Sequence, residues 1–211
     1  MARKEKRKIC FIITSFIHYS RNLLILEELR KRKDVDLHII IGGTALLSKY
    51  SARHAYVREM LEADGFDNLY EVYFNLEGDN NVVKAKTAGL GMIEFSLLFN
   101  NIRPDLVVVR GDRFEVLSAA TAAFYMNIPI AHIEGGDVTG TLDESIRHSI
   151  TKLSQIHFAT NNQAKDRILK MGEPKKYVFN YGSPDIEVVK KFTSGRGTNN
   201  LEGTGSGAQI D

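Results

Sequence analysis

Three short stretches concentrate side chains that can move protons or hold anions. "HIEGGDVTGTLDES" runs from His132 to Ser145, "RGDRFE" from Arg110 to Glu115, and "SFIHYSR" from Ser15 to Arg21. Each follows an apolar run that reads as a buried strand. Burying charge is costly, so carboxylates gathered at the end of such a strand call for a reason. Gly111 allows a tight exit, and Gly135 and Gly136 let the backbone turn away or a ligand approach closely. Carboxylates crowded into a cleft push their pKa values apart, which lets one site hold both an acid and a base. The residue types therefore point to acid–base chemistry at Asp112, Glu134, Asp143 and Glu144, without naming a substrate.

Each acid also has a local account. Asp112 falls where it can N-cap a helix starting at Arg113. Thr141 and Glu144 match a capping box that would start the next helix near Asp143, and both acids would then complement the helix dipole. The glycines alone could make a plain turn, but a turn requires no carboxylate at Glu134. His132 and Asp137 flank Glu134 at a spacing that matches no familiar ligand set, and the single Cys10 offers no thiol pair, so no metal is expected. His148 and His157 read as packing or surface histidines. No glycine-rich fingerprint follows the first strand, which disfavours a dinucleotide, and no cofactor is expected. The "RGD" tripeptide follows a buried strand and carries no adhesion reading.

These residues must be placed by elements that alternate regularly. Strands are expected at Lys8–Thr14, Asp36–Gly42, Leu69–Phe74, Asp105–Gly111, Ile128–Glu134, Ile156–Thr160 and Tyr177–Gly182. Several are continuous apolar runs, as when both faces of a sheet are covered. Helical patterns lie between them: Arg21–Arg32, His54–Gly65, Asn80–Asn101, Arg113–Asn127, Glu144–Ser154 and Gln163–Gly172. The order predicts an α/β fold, a Rossmann-like parallel sheet with helices on both faces. Ligands of such sheets bind beyond the carboxyl ends of the strands, where all three loaded stretches fall. The second and third follow strands separated by one helix, so their loops should lie side by side.

Composition narrows the class. The chain has 211 residues, 43% of them hydrophobic, and a net charge of +2. That balance argues against nucleic acid, and the basic start "MARKEKRK" reads as a solvated terminus. No apolar run reaches the roughly 18 residues of a membrane span, and no membrane partner is expected. One cysteine and no leader fit a reduced, cytoplasmic protein. Residues 1–192 read as one Rossmann-like domain. From Thr193 to Asp211 the chain is rich in Gly, Ser, Thr and Asn and nearly free of apolar residues, and it reads as a disordered tail.

The stretch "GDRFEVLSAATAAFYMNIPIAHIEGGDVTGTLDESIRHSITKLSQIHFAT" resembles the hydrolysing UDP-N-acetylglucosamine 2-epimerases of sialic-acid and related nonulosonate pathways. The likeness covers about Lys8 to Lys191. "GDRFE" and "LDESIRHSITKL" favour this branch over the non-hydrolysing one, whose motifs typically run "GDT" and "PEE". The resemblance implies conversion of UDP-N-acetylglucosamine and water to UDP and N-acetylmannosamine, through loss of the 2-proton with UDP, then hydration. It carries the catalytic carboxylates onto Asp112, Glu134 and Asp143. Arg113 and Arg147 become partners for substrate or carboxylates, with His132, Glu144, His148 and His18 as further candidates. In the family an arginine that faces the phosphates usually follows the first strand. Phe16 stands there in this chain, with His18 and Arg21 as nearby substitutes. The family is similar to B-type glycosyltransferases, with a cleft between two Rossmann-like halves, and this chain corresponds to the N-terminal half. A UDP-sugar is the expected partner and a homo-oligomer the expected assembly. The apolar stretch Val82–Phe99 reads as a core helix or a dimer face.

Overall fold

The computed structural model describes residues 5–47, 56–78 and 80–194. Seven strands form one parallel sheet in the order β3-β2-β1-β4-β5-β6-β7. They are β1 (Arg7–Ile13), β2 (Val35–Gly42), β3 (Leu69–Val72), β4 (Leu106–Arg110), β5 (Ile130–Ile133), β6 (Ile156–Ala159) and β7 (Val178–Asn180). All seven expected strands are present, within two residues at either end. β1 pairs with β2 along its length and with β4 through Ile9↔Leu106 to Phe11↔Val108. The chain order reverses between β1 and β4, which opens a crevice at their carboxyl ends.

The helices are α1 (Phe16–Lys31), α2 (Val57–Ala63), α3 (Asn81–Ile102), α4 (Phe114–Tyr125), α5 (Leu142–Leu153), α6 (Asn162–Lys170) and α7 (Pro184–Ser194). Short 3-10 turns cover Gly43–Leu46 and Lys175–Tyr177. Side chains of a strand alternate between faces, and β1 feeds two cores accordingly. Ile9, Phe11 and Ile13 pack with Tyr19 and Leu26 of α1 and Leu61 of α2. Cys10 and Ile12 pack with Phe95 and Phe99 of α3 and the alanines of α4. Burial pushes the Cys10 thiol up to about 12, so it stays protonated and inert. No helix among the described residues is long and apolar enough to cross a membrane.

The structure departs from the local reading in two places, after β1 and after β7. The expected loop "SFIHYSR" is mostly the first turns of α1, capped by Ser15, whose hydroxyl accepts from the His18 N–H (3.2 Å). Residues 54 and 55 of the expected second helix lie outside the described residues. α7 follows Ser183-Pro184, a helix start that apolar periodicity does not signal. It runs two residues past Phe192, where the Thr193 hydroxyl donates to the Val189 carbonyl (2.8 Å). The remaining tail, 195–211, and residues 1–4 of the basic start lie outside the described residues.

Gly136 sits at φ +84°, and a Cβ there would press directly on the Ala164 carbonyl oxygen and the Ile168 side chain of α6. Gly140 has φ +70° with open space around it. Gly140→Ala should therefore cost only the left-handed penalty, ~1–2 kcal/mol. Gly136→Ala adds a clash with backbone and should cost at least ~3 kcal/mol. Urea unfolding of the two variants checks the difference.

Candidate active site

The crevice at the carboxyl ends of β1, β4 and β5 is organised around a buried cation. Arg110 ends an apolar strand and is only 1% exposed. A buried guanidinium must find partners for its N–H groups. Nε and Nη2 grip the Glu134 carboxylate in a fork, at 2.7 and 2.5 Å. Nη2 also donates to Asp185 Oδ1 (2.6 Å) at the start of α7, and Nη1 to Asn22 Oδ1 (3.2 Å) in α1. Burial disfavours its charge, but pairing with Glu134 and Asp185 outweighs burial and raises its pKa.

Glu134 adopts φ +67°, a left-handed conformation that non-glycine residues rarely hold. The Arg110 fork and the bond from its own N–H to the Phe158 carbonyl (3.0 Å) keep it there. The next position tolerates no side chain. A Cβ on Gly135 would lie 2.9 Å from both His132 Nδ1 and Thr151 Oγ1.

Asp112 pairs with Arg147 of α5, which is itself 7% exposed and whose Nη1 donates to the Asp137 carbonyl (2.8 Å). Asp112 therefore does not N-cap α4. Arg113 occupies the cap position with no side-chain cap bond, and it forks the buried Glu115 instead (2.7 and 3.1 Å). The Asp137 carboxylate accepts from Thr160 Oγ1 (3.2 Å) and Asn161 Nδ2 (3.0 Å), tying the glycine loop to the end of β6.

His132 is fully buried, with Nε2 2.9 Å from the Gly111 carbonyl and Nδ1 3.2 Å from Thr151 Oγ1. A carbonyl only accepts, so Nε2 carries the proton and buckles the β5 end to the β4–α4 turn. Burial pushes its pKa down to about 4. His18 lies across the same turn, and a Cβ on Gly111 would be 3.7 Å from its Nε2. Nδ1 of His18 is 3.1 Å from Thr14 Oγ1. Burial, then the charges of Arg110, Arg113 and Arg21, push His18 to about 4, so it is neutral at pH 7.

Two expected acids lie on the first turn of α5. Asp143 is exposed there. The α5 cap differs from the capping box read in the sequence. Thr141 is in the cap position without a side-chain cap bond, and Glu144 Oε2 accepts from the N–H groups of Thr139 (2.9 Å) and Gly140 (2.7 Å). His148 Nε2 is 3.9 Å from Glu144. Buried His157 is 3.4 Å from Glu173.

The tips of β4 and β5 thus bring together Asp112 with Arg147 and Glu134 with Arg110, with His18 and buried His132 against the β4–α4 turn, while Asp143 and Glu144 lie on the first turn of α5 and Arg113 is held by Glu115. Sequence reasoning missed Arg110, Asn22 and Asp185. An arginine ending an apolar strand implies buried partners, and Ser-Pro-Asp after the last strand marks a helix start beside the crevice. Both signals were available.

The sequence profile described as UDP-N-acetylglucosamine 2-epimerase matches residues 27–206. UDP-N,N'-diacetylbacillosamine 2-epimerase (hydrolyzing) from Legionella pneumophila is 34% identical over 88% of this chain and 48% of its own length. UDP-N-acetylglucosamine 2-epimerase from Neisseria meningitidis serogroup B is 33% identical over 80% of this chain and 43% of its own. The chain spans about half the length of these relatives. A crystal structure of UDP-GlcNAc 2-epimerase from Neisseria meningitidis bound to UDP-GlcNAc superposes with a TM-score of 0.75 at 21% identity, covering 89% of this chain and 50% of that one. MurG from Acinetobacter baumannii gives 0.53 at 12% identity, over 75% and 42%. The fold is that of one half of a two-domain B-type glycosyltransferase architecture.

Two outcomes follow from the geometry. Arg110→Met leaves Glu134 and Asp185 facing each other without their cation and should cost ~3 kcal/mol. Asp185→Asn leaves the Glu134 fork intact and should cost ~1 kcal/mol or less, both read from urea unfolding. His132 titrates near 4 in the fold and 6.5 unfolded. The unfolded chain therefore binds the proton first, so stability is complete above pH 6.5 and declines as pH falls toward 4. From pH 7.5 to 5.5 this histidine should account for ~1 kcal/mol of lost stability, which His132→Gln removes.

Proposed function

Since the chain belongs to the UDP-N-acetylglucosamine 2-epimerase family, we propose that it is the carboxylate-bearing half of a hydrolysing UDP-N-acetylglucosamine 2-epimerase. The observation that carries this reading is the pairing of Asp112 and Glu134 at the tips of adjacent strands β4 and β5, each held by its own buried arginine. The reaction needs proton-handling groups on both faces of a sugar ring. A base takes the C2 proton, the C1–O bond breaks, and its electron pair leaves on the β-phosphate of UDP. The resulting 2-acetamidoglucal takes up water at C1 and a proton at C2 from the opposite face. The product is N-acetylmannosamine, and the balance is one water consumed per UDP released.

Asp112 and Glu134 are the acid–base pair in this reading, with Asp143 as a third carboxylate on the first turn of α5. Arg147 and Arg110 fix their orientations, and arginine forks hold carboxylates in a defined plane. Neutral His18, between the ends of β1 and β4, offers a hydrogen bond where Phe16 offers none. A second Rossmann-like half would supply the uridine and diphosphate contacts and close the crevice against water, which positions the leaving group. A second reading is favoured by the 34% identity to enzymes named for UDP-N,N'-diacetylbacillosamine, a sugar with a further acetamido group.

Proton NMR in D2O tests both, using this chain alone and joined to a second Rossmann-like half, with each UDP-sugar. The joined protein should release UDP and N-acetylmannosamine deuterated at C2, at rates lowered ~100-fold or more by Asp112→Asn or Glu134→Gln. UDP-N-acetylmannosamine without free UDP would assign the non-hydrolysing reaction instead. Turnover confined to the diacetamido substrate would assign the second reading.

A further inference from the structure

α7 is held by charge more than by packing. None of its described side chains is buried, and Ile186 and Val189 are 57% and 60% exposed. Where its first turn meets α1 and the ends of β5 and β6 lies a cavity of about 260 Å³, lined by Ile25, Ile133, Phe158, Tyr181, Pro184 and Glu187. A well-packed interior leaves few voids of that size. Two surface ion pairs tie the helix to α1, Lys191 to Glu27 (2.8 Å) and Asp185 to Arg21 (3.5 Å). Pairs as exposed as these contribute little. The tie that reaches inside the fold is Asp185 Oδ1 to Nη2 of buried Arg110 (2.6 Å).

Nη2 carries two hydrogens. It donates to Glu134 Oε1 and to Asp185 Oδ1, while Nε serves Glu134 Oε2 and Nη1 serves Asn22. Asn22 is fully buried and donates in turn to the His18 carbonyl (2.6 Å), so one corner of the guanidinium is fixed from α1. Asp185 fixes another corner from α7. The carboxylate of a forked pair shares the plane of its guanidinium, so whatever fixes that plane also aims Glu134. The fork engages one lone pair on each Glu134 oxygen, and a proton must be taken up on those that remain. Arg147, the partner of Asp112, is braced by the Asp137 carbonyl instead (2.8 Å). Among the described residues, Glu134 is therefore the one of the two carboxylates tied to α7. We propose that Asp185 is a positioning residue for Glu134, holding the outer N–H of Arg110 Nη2 and so locking the plane in which Glu134 meets the sugar. The proposal rests on the reading of Glu134 as a proton-handling group.

Two measurements test it: 15N NMR of this chain alone, and steady-state kinetics of this chain joined to a second Rossmann-like half, with UDP-N-acetylglucosamine. Asp185→Ala should lower kcat about tenfold or more with KM within about twofold, because a misaimed base is felt in the transition state and not in substrate binding. Asp185→Asn keeps an acceptor for the same N–H and should stay within about threefold of wild type. In the NMR experiment Asp185→Ala should speed hydrogen exchange of the Arg110 guanidinium about tenfold or more, and Asp185→Asn about threefold or less. Glu187→Ala, on the same turn of α7, should leave both readouts unchanged. Unchanged exchange in Asp185→Ala, faster exchange with wild-type kcat, or an asparagine variant as slow as the alanine one would overturn the proposal. A joined wild-type protein without turnover would instead refute the reaction assigned above, and faster exchange in Asp185→Ala would then make Asp185 a brace of the fold alone.

Discussion

A guanidinium that cannot reach water constrains everything around the crevice. Arg110 has no solvent to satisfy its N–H groups, so three separate segments must come to it. Asn22 comes from α1, Glu134 from the end of β5 and Asp185 from the start of α7. These segments are far apart in sequence. Tyr19 and Leu26 of α1 share an apolar core with Ile133 of β5, and beside that core the cation joins polar side chains from all three segments. It also couples elements: Glu134 and Asp185 share one nitrogen, so the position of α7 is felt at the carboxylate on β5.

The second constraint is backbone shape. Glu134 stands in a left-handed conformation, and the two positions after it admit only glycine, Gly135 for space and Gly136 for both space and φ. Strain of this kind persists only where surroundings over-determine it. Here the surroundings are the Arg110 fork, the strand bond to Phe158 and the buried His132 beneath. His132 is neutral and fully occupied by Gly111 and Thr151, so it is a positioning residue that sets the distance between the β4 and β5 tips.

The strands were legible in the sequence because several covered parallel strands appear as apolar runs, and all seven expected strands are present. What local pattern misjudged was the destination of polar side chains. Asp112 looks like a helix cap because the pattern sees Arg113 and Phe114, whereas its partner Arg147 lies 35 residues away. Glu144 has the right spacing for a capping box, but Gly140 bends the loop so that its carboxylate meets Thr139 and Gly140 first. α7 escaped notice because its apolar residues are few and its start depends on Ser-Pro chemistry. The resemblance supplied Asp112, Glu134 and Asp143 together, and the structure adds the arginines that pair with the first two.

The position of β1 has a consequence for how the chain assembles. β1 is central, yet its two neighbours arrive at different times: β2 follows after some twenty residues, while β4 begins nearly a hundred residues later. On the ribosome, the β1-α1-β2 unit can close early. One long edge of Ile9, Cys10 and Phe11 then stays unpaired until Leu106 to Val108 emerge. An open apolar edge is a template for wrong partners, and pairing across so long a loop is slow. The vulnerable interval in the life of this fold therefore falls during synthesis, while the stretch from β2 to β4 is being made.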